Sequence, residues 1–165
     1  MKTKKILLPL VALFVLGLSS CCDEKEGLTY SSTVLKNSEL KTILTSKGFS
    51  FDKDGKLELN NLATSTVSLD LSNTKLKDLS GLDILPNLKE VKLSNNDYGP
   101  VFDFSTLPSQ ITSVDLTGNN IYDFEGLVET KTENDELKTT VLHPLKKLYL
   151  PASAKYNVED LMPFN

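Results

Sequence analysis

Apolar and polar residues change rhythm several times along this chain. Ile6 to Leu18 (ILLPLVALFVLGL) is an apolar run of 13 residues, set between the basic stretch Met1 to Lys5 and Ser19-Ser20-Cys21. A basic start, a short apolar run and small residues at a cleavage point make a secretory signal over 1–20. The run is too short to span a membrane, which takes about 20 apolar residues. Residues 21–36 are polar and acidic at their start, which predicts a flexible tether. Asn37 or Ser38 is placed to cap a helix over 39–47 that ends at Gly48. Leu40, Ile43 and Leu44 then share one helical face. Phe49 and Phe51 alternate, as at the start of a strand.

From residue 66 the rhythm becomes a repeat. Thr66-Val67-Ser68-Leu69-Asp70-Leu71-Ser72-Asn73-Thr74, Leu88-Lys89-Glu90-Val91-Lys92-Leu93-Ser94-Asn95-Asn96 and Ile111-Thr112-Ser113-Val114-Asp115-Leu116-Thr117-Gly118-Asn119 align in one register. The spacing is 22 residues, then 23. Each segment follows L-x-x-L-x-L-x-x-N, with Thr at both ends of the first. Leu145-Lys146-Lys147-Leu148-Tyr149-Leu150 starts a fourth, 34 residues beyond Ile111. The extra length falls in Glu129 to Thr140 (ETKTENDELKTT), apolar only at Leu137, which predicts a solvated loop. Leu69/Leu71, Val91/Leu93 and Val114/Leu116 alternate, so each pair points inward from a short strand. Leu76, Leu79, Leu82 and Leu85 recur every three residues and fill the interior behind it. Gly99-Pro100 forbids a helix there, so Phe102 and Phe104 are expected on an extended, partly buried return path.

These segments resemble leucine-rich repeats, and residues 66–128 resemble the internalin-type bacterial form. The resemblance implies an α/β solenoid: a short right-handed superhelix with a parallel concave β-sheet, a mostly β or loop convex side and an N-terminal helical cap. It implies an N-terminal cap over 37–62, and a last repeat and C-terminal cap over 141–165. In the latter, Val158, Leu161, Met162 and Phe164 would cover the final leucines. It also implies that Asn96 and Asn119 turn inward as a structural ladder, bonding backbone groups the bend leaves unpaired. Thr74 stands in that place in the first repeat.

Leu18-Ser19-Ser20-Cys21 resembles a bacterial lipobox. That resemblance implies cleavage before Cys21, a lipid on its thiol, and a lipoprotein of the Gram-negative outer membrane. The acidic stretch Asp23-Glu24-Lys25-Glu26 resembles a surface-export signal, which favours exposure on the cell surface. Cys22 has no second thiol to pair with once Cys21 is acylated.

Composition narrows the chemistry. The 165 residues hold 18 Lys, no Arg, no Trp and 22 acidic side chains, for a formal charge of −4. Three of those Lys and no acid lie in 1–20, so the remainder carries 15 basic against 22 acidic residues, or −7. That balance argues against nucleic acid, which needs a basic face. One His and two adjacent Cys exclude most metal cages. Phe51-Asp52-Lys53-Asp54-Gly55-Lys56-Leu57-Glu58 resembles half a calcium loop. Asp52, Asp54 and Glu58 would be ligands, but Ser50 and Asn61 stand where the first Asp and the bidentate Glu belong. A turn joining two strands is the simpler reading, and no cofactor is expected. His143, before Pro144, reads as a loop residue. Ser72, Ser94 and Thr117 share a register but no base accompanies them, and no phosphate-cradling loop is present. An enzyme is not expected.

The non-leucine strand positions are Ser68, Asp70, Ser72 and Asn73; Glu90, Lys92, Ser94 and Asn95; Ser113, Asp115 and Thr117; and Lys147 and Tyr149. They form the expected ligand face. It is polar and mildly acidic, and Tyr149 alone is of the kind that makes interface hot spots. The aromatics Tyr98, Phe102, Phe104, Tyr122 and Phe124 lie on the loop rim or in the core behind it. The expected function is non-catalytic recognition of a protein, or of a glycan, at the cell envelope. The alternative is an accessory lipoprotein subunit of a surface nutrient-uptake or envelope assembly.

Overall fold

A computed structural model describes residues 27–154. The signal run, Cys21 and the C-terminal residues 155–165 lie outside the described residues, as do residues 21–26 of the predicted tether. The elements run in chain order: β1 (Tyr30–Val34), α1 (Ser38–Ser46), β2 (Lys56–Glu58), α2 (Asn61–Ser65), β3 (Ser68–Asp70), β4 (Glu90–Lys92), β5 (Val101–Asp103), β6 (Ser113–Asp115), β7 (Asp123–Glu125), β8 (Val128–Glu133), β9 (Glu136–Val141) and β10 (Lys147–Tyr149).

The repeat segments assemble one parallel sheet in the order β10-β6-β4-β3. Its register sets Leu69, Val91, Val114 and Leu148 side by side. The ladder continues past the strands, with Leu71 N–H donating to Lys92 O, Leu93 N–H to Asp115 O and Leu116 N–H to Tyr149 O, each at 2.8 Å. Strands this short bury one face because their side chains alternate. The leucines of that face join Leu76, Leu79, Leu82, Leu85 and Leu88 in a single core.

This arrangement corrects the expected superhelix with one concave sheet and a helical cap. The described residues form four small separate sheets, two parallel and two antiparallel, with little helix. The N-terminal end is closed by an antiparallel pair, β1 with β2, set beside α1. Residues 30–34, assigned by sequence to the tether, are a strand. Leu57 N–H donates to the Ser31 hydroxyl at 2.9 Å, and Leu35 N–H to Gly55 O at 2.9 Å. Leu35 is buried in the core. Tyr30, Thr33 and Val34 are residues that favour strands, although all three are exposed and only Ser31 of β1 is buried.

Asn37 caps α1, its side-chain oxygen accepting from Leu40 N–H at 3.0 Å. Its amide donates to Asp78 O at 2.8 Å, tying the helix to the first repeat. Leu40 and Leu44 bury completely.

Behind the main sheet, β5 and β7 form their own parallel pair. Phe102 and Phe104 were expected to be partly buried and are fully buried; their rings meet edge to face at 5.1 Å. Tyr98 and Phe124 continue the stack at 5.5 and 5.7 Å. Edge-to-face packing suits the ring quadrupoles.

The predicted loop at 129–140 is instead a hairpin. β8 pairs with β9 from Val128↔Val141 to Glu133↔Glu136. Asn134 (φ 54°) and Asp135 (φ 62°) make its two-residue turn. Positive φ at both positions matches the strand twist, and Asn and Asp tolerate it. Its ion pairs, Lys131–Glu129 and Lys138–Glu133, are the only ones among the described residues.

Candidate functional site

Side chains on the solvent face of the main sheet fall into rows across the strands. Ser68, Glu90, Ser113 and Lys147 make one row, and Asp70, Lys92, Asp115 and Tyr149 the next. Ser72, Ser94 and Thr117 follow at the strand ends. Eleven of the thirteen residues predicted for the ligand face fall in these rows, while Asn73 and Asn95 lie beyond them at left-handed turn positions.

The rows are partly pre-set. The Glu90 carboxylate accepts from Ser68 at 2.9 Å and from Ser113 at 3.3 Å, so it bridges two neighbouring strands. The Ser72 and Ser94 hydroxyls meet at 2.8 Å. Asp70 accepts from Ser72 N–H at 2.9 Å. That bond, followed by the Ser72 hydroxyl, holds the Asp70 carboxyl below its usual range. Asp115 accepts from the N–H and hydroxyl of Thr117 at 2.9 and 2.7 Å. Each aspartate is thereby oriented by its own strand end, while Lys92 between them forms no ion pair with a described residue. Tyr149 is 52% exposed. Ser113 departs from the pattern: it is buried between its neighbours.

Buried amides fix the corner above this face. Asn96 donates to Leu71 O at 2.8 Å and Leu93 O at 3.0 Å. Its oxygen accepts from Thr74 and Lys75 N–H at 2.9 and 2.8 Å. Asn119 repeats the motif one repeat on, donating to Leu93 O and Leu116 O and accepting from Asn96 and Tyr98 N–H. Thr74 covers part of the role with its hydroxyl on Leu71 O at 2.8 Å. Buried polar groups left without such partners are costly, and none of the described buried side-chain polar atoms lacks one.

The other candidates separate. Asp52 caps a tight turn, accepting from Asp54 N–H at 2.9 Å and Lys56 N–H at 2.8 Å. The Lys56 bond leads in holding its carboxyl below the usual value. Asp54 is exposed, and Glu58 lies in β2 opposite Tyr30. Among the described residues no three His, Cys, Asp or Glu side chains gather into a metal-binding group. His143, predicted as a loop residue, is 3% exposed, with Nε2 at 2.9 Å from Ile111 O. Burial pushes its pKa down. Nothing in the local pattern before Pro144 signals this burial, which arises from the Leu142 and His143 N–H bonds back to Leu127 O. Of the rim aromatics, Tyr122 alone is exposed. The Tyr98 hydroxyl donates to Leu76 O, and burial raises its pKa far above the ordinary value. Among the described residues no helix is long and apolar enough to cross a membrane.

Two relatives share a stretch with this chain. Both are described as acidic leucine-rich nuclear phosphoprotein 32 family member A, one from Drosophila melanogaster and one from Drosophila pseudoobscura pseudoobscura. Each is 38% identical over 64 residues, which is 39% of this chain and 24% of the relative. The chain thus spans about a quarter of the length of these relatives. No family model and no solved structure matches. The likeness supports leucine-rich repeats and nothing finer. It also corrects the expected address: the relatives are nuclear phosphoproteins by description, which points away from a bacterial outer membrane.

Proposed function

We propose that this chain is a non-catalytic binding module that holds a protein partner on the solvent face of its four-stranded sheet. One observation carries the reading: Asp70, Lys92, Asp115 and Tyr149 stand side by side in register, and no described residue forms an ion pair with the three charged ones. Oriented carboxylates lose little freedom on binding, which lowers the cost of association. Exposed charges of this kind set association rate and partner choice more than affinity. The lack of Trp and Arg argues for a modest affinity built around Tyr149.

The same proposal gives the N-terminal segment a lipid on Cys21. That part rests on the apolar run and on Ser19-Ser20-Cys21 directly after it.

Pull-down of the tagged full chain from its native source, beside the Asp70→Lys/Asp115→Lys variant, tests the binding role. A partner retained by the parent and lost from the variant, with an unchanged melting temperature, supports it. Identical captures from both chains would remove the sheet face from the account.

A further inference from the structure

The row Asp70, Lys92, Asp115, Tyr149 carries a pattern as well as a charge. Across β3, β4, β6 and β10 it runs acid, base, acid, aromatic, one side chain per strand and all in register. Asp70, Lys92 and Tyr149 are exposed and Asp115 is half-buried. Both carboxylates are anchored in the same way, through Oδ1 to the N–H two residues on, that of Ser72 and of Thr117, at 2.9 Å each. The two negative charges are therefore held at fixed points on either side of Lys92. Glu90, in the adjoining row, is already engaged by the Ser68 and Ser113 hydroxyls.

The spacing of the row selects the shape of what lies on it. Neighbouring strands are about 4.8 Å apart, which puts Asp115 about 9.6 Å and Tyr149 about 14.4 Å from Asp70. An α-helix laid across the strands presents one position of a given face per turn, about every 5.4 Å, so its second and third turns fall about 10.8 and 16.2 Å along. The mismatch stays below about 2 Å over the whole row, within the reach of Lys and Glu side chains. An extended strand laid the same way repeats its face about every 6.7 Å and overshoots Asp115 by about 4 Å. A stacked sheet would match the strand spacing, but sheets stack through apolar inner faces, and three of the four side chains here are charged.

We infer that the partner's contact element is an α-helix lying across β3, β4, β6 and β10. It sets a basic side chain over Asp70, an acidic one over Lys92, a basic one over Asp115 and an apolar one over Tyr149. The inference rests on the binding role proposed above. The matching sequence pattern is base, acid, base, apolar at i, i+4, i+7 and i+11. Opposite charges at these spacings also attract along the helix itself, so such a segment is partly ordered before it binds and loses less freedom on docking.

Titration of the isotope-labelled full chain with synthetic peptides, followed by its amide shifts, tests this. Three peptides of about 20 residues are compared. The first is an Ala/Gln helix with Lys, Glu, Lys and Leu at i, i+4, i+7 and i+11. The second is the same helix with its charges reversed to Glu, Lys, Glu. The third holds the first set at alternate positions of an extended, Thr-rich chain. The first peptide is expected to shift the amides of β3, β4 and β6 and to bind about tenfold or more tighter than the other two, a preference that three exposed charge pairs can supply. In Asp70→Lys/Lys92→Glu/Asp115→Lys the preference inverts and the reversed helix binds, which also shows that the variant is folded. Equal binding of all three peptides to the parent, tightest binding of the extended one, or no shift at millimolar helix overturns the inference. So do β3, β4 and β6 shifts that grow with chain concentration before any peptide is added, which would assign the face to a second copy. The pull-down reads the native partner instead. A captured partner without preference for the helix removes the helix and keeps the binding face, while a failed pull-down removes the face itself.

Discussion

Replacing Asn96 by Leu keeps the branching at Cγ while removing every polar atom of the side chain, at a site that is fully buried. The change removes two donors and one acceptor. Leu71 O and Leu93 O, which accept from the Asn96 amide at 2.8 and 3.0 Å, lose buried bonds. Thr74 and Lys75 N–H, bonded at 2.9 and 2.8 Å, lose an acceptor at a corner closer to solvent, where water replaces part of the bond. A buried group left unsatisfied costs roughly 1–3 kcal/mol. Two fully buried carbonyls and two half-exposed N–H groups together predict a loss of about 3–5 kcal/mol, a large share of the ~5–15 kcal/mol that holds a typical domain together. Leu71 O keeps its bond from the Thr74 hydroxyl and Leu93 O its bond from the Asn119 amide, so neither carbonyl is left bare and the loss sits at the lower end of that range. Urea unfolding followed by far-UV circular dichroism measures the change as a shift in midpoint at constant slope. Asn120→Ala is the control, since that side chain is exposed and a surface change of this kind stays within about 0.5 kcal/mol. A loss below about 1 kcal/mol for Asn96→Leu would show that the amide does not carry the corner.

Gly99→Ala is expected to destabilise by at least about 2 kcal/mol, because φ is 134° there and an added Cβ would overlap the Asn120 carbonyl oxygen. Thermal melting of the variant tests this. Burial lowers the His143 pKa, so its neutral form is favoured in the folded chain, while the unfolded chain titrates near the ordinary 6.5. Its contribution to stability is therefore complete above that value and is lost as pH falls through it toward the folded pKa. Urea midpoints between pH 8 and pH 5, within about two units of the His range, should fall for the parent and stay flatter for His143→Gln. Equal slopes would contradict the burial of a neutral ring. Cys21→Ala is expected to abolish incorporation of a labelled fatty acid, and persistent labelling would remove Cys21 as the acceptor.

Much of the main sheet was legible because its signal is redundant. Leu69, Val91 and Val114 recur in one register, each followed two residues on by another leucine, so a single misread residue could not shift it. The same spacing puts Asp70, Lys92 and Asp115 on one face. The separate small sheets were less legible. Residues 30–34 hold strand formers in Tyr30, Thr33 and Val34, but the stretch is brief and set among polar residues, and its strand is fixed by bonds from Leu57 and Leu35 across it, a long-range partnership that local pattern does not show. The hairpin did leave a trace: Val128, Thr130, Thr132, Leu137, Thr139 and Val141 alternate with charged residues or Thr around Asn134-Asp135. Its exposure, with Leu137 at 77%, gave it the composition of a loop. His143 could not be read at all, since its burial depends on where the hairpin returns the chain. The cellular address rested on resemblance alone, and the nuclear relatives point away from it.

Site-specific photo-crosslinking tests the binding face most directly. A photoreactive residue at Lys92, in the middle of the sheet face, is compared in the native source with one at Val101, exposed on the sheet behind. The account predicts a discrete protein adduct from position 92, lost when Asp70 and Asp115 are reversed in charge, and none from position 101. Equal adducts from both positions, or adducts from position 101 alone, would contradict it.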